Sequence, residues 1–150
     1  MLVQQQAQHC APAQVHKFGG SSLASAARFA AVADILQQQA PQQALWVVVS
    51  APGDTTDALL AIIAAADQVA RRDAALAALC RQLTDLVQHT LAAEAAERVT
   101  QQLLQWLAGI PDALAQQQFN DVLAIGERLS AVLLSQLKML LNVMERVKVC

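Results

Sequence analysis

Val15-His16-Lys17-Phe18-Gly19-Gly20-Ser21-Ser22 is the stretch on which the fold turns. Val15 to Phe18 reads as a short strand, because β-branched and aromatic residues suit a pleated surface and a glycine pair ends the run. Ser21 and Ser22 then read as a helix start, since a serine hydroxyl accepts a bond from the free amides of a first turn. The unit is strand, glycine loop, helix, with order beginning at Gln14. Ahead of it, residues 1–13 carry Gln4, Gln5, Gln6, Gln8 and His9 and read as a polar, flexible leader with too little apolar surface to bury.

Past the loop, Phe29, Val32, Ala33 and Leu36 recur at the spacing that lines one helix face, and Gln37 to Pro41 closes that helix. Ala44 to Val49 is an unbroken apolar run, too short for a typical helix and rich in valine. It predicts a fully buried strand with Trp46 in the core. Two strands joined by a helix predict a parallel βαβ unit with a right-handed crossover. Three further helical stripes follow: Leu59, Ile62, Ile63 and Ala66; Leu76, Leu79, Cys80 and Leu83; Val99, Leu103, Trp106 and Leu107. Breaks are expected near Arg71 to Asp73 and at Gly109-Ile110-Pro111, with a last helix from about Asn120 to Leu141. The glutamine clusters at 37–39 and 116–118 fall near helix ends and read as solvated. Val147 to Cys150 reads as a short third strand or an unrelated ending. The fold class is α/β, helix-rich, with parallel strands.

A chain of 150 residues with 55% hydrophobic and 15% charged residues suffices for one domain with a real core. A net charge of -2 offers no basic footprint for a phosphate backbone, and 3% aromatics leave little for base stacking, which argues against nucleic acid as a partner. Cys10, Cys80 and Cys150 are odd in number and far apart, so neither a disulfide framework nor a metal site is signalled, and free thiols suit the cytoplasm. No apolar run approaches the length of a membrane span, and the start lacks the pattern of a secretory signal.

Three segments carry candidate chemistry. Lys17, Gly19, Gly20, Ser21 and Ser22 join a lysine at a strand end to two residues without Cβ, two hydroxyls and a helix start. That combination suits phosphate: backbone amides approach closely, the helix end adds partial positive charge and the lysine a full one. It is not a Walker A loop, because the lysine precedes the glycines. The plainer reading is a strand-to-helix turn with a surface lysine. Ser50-Ala51-Pro52-Gly53-Asp54-Thr55-Thr56-Asp57 leaves the second strand and also leads into a helix. In an open parallel sheet ligands bind beyond the carboxyl ends of the strands, so the two loops are expected to face one another. Its plainer reading is a capped turn. Gly126-Glu127-Arg128-Leu129-Ser130 falls inside the last helix, where glycine costs about 1 kcal/mol against alanine. Glu127 lies four residues from both Leu123 and Ala131, on a strip expected to be apolar and buried. A carboxylate buried there needs a cation, either a substrate ammonium or a lysine or arginine of the fold.

Taken together, Val15 to Ala24, Val48 to Leu60 and Gly126 to Ala131 resemble the aspartate kinase family in order and spacing, over about residues 14–135. His16 and the leader make the chain look most like the kinase half of bifunctional aspartokinase–homoserine dehydrogenases. The resemblance implies a three-layer αβα fold of the amino-acid kinase type, with 14–150 as an incomplete N-terminal part. It implies transfer of the ATP γ-phosphoryl group to the β-carboxylate of L-aspartate, with Mg2+ accompanying the nucleotide, in a cytoplasmic homo-oligomer. By the same resemblance Lys17 is catalytic and, with Gly19, Gly20, Ser21 and Ser22, binds phosphate, while Ser50, Thr56 and Glu127 hold aspartate. The family's nucleotide-binding half does not follow, so the chain alone is expected to be inactive. Two rivals stand beside this reading: another carboxylate or carbamate kinase of the same fold, and a non-catalytic helical module that self-associates.

Overall fold

The computed structural model describes residues 13–42, 44–140 and 147–149, so nearly all of the leader expected at 1–13 lies outside the described residues. Strand β1 is Gln14–Phe18, followed by a 3-10 helix, Gly20–Leu23, and by α1, Ala26–Gln39. The helix start expected at Ser21 and Ser22 moves to Ser25, whose hydroxyl accepts from the Arg28 amide. Any of these serines satisfies the capping rule; what selects Ser25 is the intervening 3-10 turn. Phe29, Val32, Ala33 and Leu36 are all buried, as the spacing predicts.

Strand β2, Leu45–Val49, pairs in parallel with β1, with Lys17 opposite Val48 and Phe18 opposite Val49. It is buried on one face only. Leu45, Val47 and Val49 enter the core, while Val48 and Trp46 are 38% and 41% exposed, which corrects the expectation of a fully buried strand with a core tryptophan. The Lys148 ammonium lies 4.9 Å from the centre of the Trp46 ring, a cation–π contact. Lys148 belongs to β3, Val147–Val149, which pairs in parallel with the other edge of β2 and gives the order β1-β2-β3. The third-strand reading of the ending is the one realised.

The helices are α2, Thr55–Ala64; α3, Val69–Thr90; α4, Ala93–Ala108; α5, Ile110–Ala115; and α6, Phe119–Leu140. The break expected at Arg71 to Asp73 lies instead at residues 65–68, and Arg71 and Arg72 sit in the first turn of α3 with Asp73 directly after them. Arg72 pairs with Asp73 and also donates to the Ala66 carbonyl, so the charges fasten a helix start. The break at Gly109 occurs as read, with Pro111 near the start of α5, where its missing amide is not needed. Helix α6 is central, touching α1, α2, α4, α5, β2 and β3. Its residues Val122, Ile125, Leu129, Leu133 and Leu134 join one core with those of the other helices.

Candidate functional site

Both loops leave the carboxyl ends of adjacent parallel strands, and the sequence dictates how closely they meet. The Ser50 amide donates to the Phe18 carbonyl at 3.0 Å, extending the β1–β2 ladder by one rung. The Gly53 amide donates to the Gly20 carbonyl, also at 3.0 Å. A Cβ at Gly20 would stand 2.8 Å from the Ala51 carbonyl oxygen and 3.0 Å from that of Gly53. Only a residue without a side chain lets the two loops pack backbone to backbone.

The third segment reaches the same place. A Cβ at Gly126 would stand 2.5 Å from the Ala51 Cβ and 3.2 Å from the Thr55 Cγ2. The glycine whose cost inside a helix asked for an explanation is therefore the point where α6 meets the second loop. Gly20, Ala51, Thr55 and Gly126 form one continuous seam through all three segments.

Around this seam the polar side chains divide into two groups. Ser25 caps α1, Arg28 donates to the Ser21 carbonyl at 2.7 Å, and the buried Thr55 hydroxyl donates to the Pro52 carbonyl. These brace the loops. Among the described residues, the side chains of Lys17, Ser21, Ser22, Ser50, Thr56 and Glu127 make neither a hydrogen bond nor an ion pair. Lys17, Ser21 and Glu127 are exposed, and Gly19, Gly20, Ser22, Ser50 and Thr56 half-buried. All the candidate residues thus lie on or next to segments joined at the seam, and their polar side chains are available to a ligand.

One expectation is corrected. Glu127 does not lie on the buried strip of α6; that strip is Val122, Ile125, Gly126, Leu129 and Ser130, with Leu123 and Ala131 half-buried at its flank. Glu127 is exposed, so no desolvation cost demands a cation, and its case rests on following Gly126 directly in α6. The bracing of the Ser21 carbonyl by Arg28 has no signal in the sequence, because the two residues belong to different helices and only the spacing of three from Ser25 is a helical one. A cavity of about 420 Å3 borders the second loop between the start of α1 and the C-terminal part of α3, lined by Ser25, Pro52, Gly53, Thr55, Asp85 and His89 among others. Lys17, Ser50, Thr56 and Glu127 do not line it. No three His, Cys, Asp or Glu side chains gather as metal ligands among the described residues, and no described helix is long and apolar enough to cross a membrane.

An open parallel sheet with helices packed on it and two loops side by side at its strand ends defines an α/β protein of the kind whose ligands bind beyond the carboxyl ends of the strands. A sequence model of the amino acid kinase family matches residues 12–143, and the chain belongs to that family. Solved structures agree on the fold. The aspartate kinase of Clostridium acetobutylicum superposes with a TM-score of 0.64 at 22% identity, over 88% of this chain and 29% of that one. Escherichia coli aspartokinase III in complex with aspartate and ADP gives 0.61 at 22% identity, over 85% and 29%. The same enzyme with lysine and aspartate gives 0.60 at 23%, over 84% and 28%. The chain therefore spans less than a third of the length of these kinases.

Proposed function

We propose that this chain is the N-terminal part of an aspartate kinase domain, carrying its acceptor-binding and phosphate-binding loops. The reaction is attack by a β-carboxylate oxygen of L-aspartate on the γ-phosphorus of ATP. A new O–P bond forms, the bond to the β–γ bridging oxygen breaks, and ADP leaves with that electron pair. Lys17 would offset the charge shared by the phosphates, and the amides and hydroxyls of Gly19, Gly20, Ser21 and Ser22 would cradle their oxygens. Ser50 and Thr56 would donate to the aspartate carboxylates, and the Glu127 carboxylate would accept from its α-ammonium group. Mg2+ would arrive with the nucleotide, and the protein would act in the cytoplasm, where Cys80 stays a free thiol.

The observation that carries this reading is the seam: two strand-end loops and one helix joined through Gly20, Ala51 and Gly126, with polar side chains on all three segments that have no partner among the described residues. The likeness to aspartate kinases supports the choice of acceptor within the family. The test is a titration of the 15N-labelled chain with L-aspartate, D-aspartate, L-glutamate and carbamoyl phosphate. L-aspartate should shift amides in 17–22, 50–57 and 126–130 more than the others do. Shifts elsewhere, or a stronger response to another acid, would remove the assignment. In a hydroxamate assay with ATP and Mg2+ the chain alone is expected to yield no aspartyl phosphate, because positioning does most of the catalysis and most of the kinase length lies outside it.

A further inference from the structure

We infer that Gly126 is the positioning residue of this site: by lacking a side chain it seats α6 against Ala51 and so fixes Glu127 relative to Ser50 and Thr56. What is positioned rests on the aspartate kinase reading; the contact itself does not.

The inference starts from a cost. A glycine in the interior of a 22-residue helix is worse than alanine by about 1 kcal/mol, so its place needs a reason. The reason is distance. A Cβ at 126 would lie 2.5 Å from the Ala51 Cβ and 3.3 Å from the Ala51 Cα, where carbon atoms in contact prefer about 3.5–4.0 Å.

Ala51 has little room to retreat. Gly20 also packs on it, with only 2.8 Å between its own would-be Cβ and the Ala51 carbonyl oxygen. The flanking amides of Ser50 and Gly53 are bonded to Phe18 and Gly20 at 3.0 Å each. The loop is clamped to β1 and its 3-10 turn, so a side chain at 126 is accommodated by displacing α6. Glu127 is the next residue and travels with the helix, whereas Ser50 is held by the ladder and Thr56 by α2. A displacement of this kind changes the gap between the carboxylate and the hydroxyls, which is the dimension that would match an amino acid's ammonium to its carboxylates.

The test is a size exchange across the contact, using Gly126→Ala, Ala51→Gly and the two together in the full 150-residue chain. Removing the Ala51 methyl deletes the nearest obstacle and leaves the Thr55 Cγ2 at 3.2 Å and the residue 51 Cα at 3.3 Å, which a shift of a few tenths of an ångström relieves. Gly126→Ala should weaken L-aspartate binding at least about tenfold, and adding Ala51→Gly should bring it back to within about twofold of the parent. Val99→Ala, which trims a buried side chain of α4 that is not among the groups nearest Gly20 or Gly126, is a control that should lower the unfolding midpoint while leaving affinity unchanged. An unchanged affinity in Gly126→Ala, or a double variant no better than the single one, overturns the inference. If Gly126→Ala fails to fold, recovery of both fold and affinity in the double variant decides it. If the parent chain shows no L-aspartate-specific response, the kinase reading is what fails. The amide shifts of residues 50–57 in Gly126→Ala, and their return in the double variant, then still decide the contact.

Discussion

The seam at the strand ends and the α3–α4 hairpin are built on opposite principles. In the hairpin, Leu79, Leu83, Val87, Val99, Leu103 and Leu107 are buried, and large side chains hold the helices apart. Its polar groups are spent locally, as in the Arg98–Glu94 pair at 2.6 Å. At the seam, backbones approach across Gly20, Ala51 and Gly126, and the candidate polar side chains have no partner among the described residues. Packed leucines can readjust when one is trimmed, whereas a contact with no side chain in it has nothing to readjust. Stability therefore resides chiefly in the hairpin and geometry in the seam.

The harshest way to break that division is Leu103→Ala. Leu103 is fully buried in α4, and its truncation leaves a cavity worth about 2–5 kcal/mol. A denaturant titration should show that loss, while L-aspartate affinity, measured where the variant is still folded, stays at the parent value. An affinity that falls along with stability would mean the two regions are one cooperative unit and the contrast has no functional content.

Much of the hairpin was legible in the sequence, and the seam only in part. The stripes of α1, α3 and α4 are written at intervals of three and four, a local pattern that needs no knowledge of the neighbours. The two loops were legible as chemistry, because glycines and hydroxyls at strand ends have few other uses. Their meeting point was not. Nothing in Ala51 says that it lies between two glycines distant in sequence, and Gly126 announced only that some space was wanted. Trp46 was misread because an apolar run has no alternation to say which face is covered. The break expected at Arg71 to Asp73 is displaced because the real one, at 65–68, contains neither glycine nor proline to mark it.

Two adjacent threonines sharpen the comparison with a smaller effect. Thr55 is buried with its hydroxyl on the Pro52 carbonyl; Thr56 is half-buried with its hydroxyl unpartnered among the described residues. Thr55→Ala should cost about 1 kcal/mol, because it removes a buried hydroxyl's bond to the Pro52 carbonyl, which still accepts from the Thr55 amide at 3.2 Å. Thr56→Ala should change stability by less than about 0.5 kcal/mol and show its effect in L-aspartate affinity instead. Thermal melts and binding titrations of the pair check this. If Thr56→Ala proves the more destabilising, its hydroxyl serves the fold and not a ligand.

The smallest expected effect has the opposite sign. Ser130 lies one helical turn beyond Gly126, fully buried, and its hydroxyl has no hydrogen-bond partner among the described residues. A buried hydroxyl in that position forfeits the bonds it makes to water in the unfolded chain, and trimming the hydroxymethyl group to a methyl removes that penalty while vacating only the volume of one oxygen atom. Ser130→Ala should therefore raise stability by about 1 kcal/mol, read as a higher denaturation midpoint with an unchanged slope. L-aspartate affinity should not move, since the substitution leaves the Gly126–Ala51 contact in place. A loss of stability would mean that the hydroxyl holds a partner in solution, and that the floor of the seam is a polar contact in its own right.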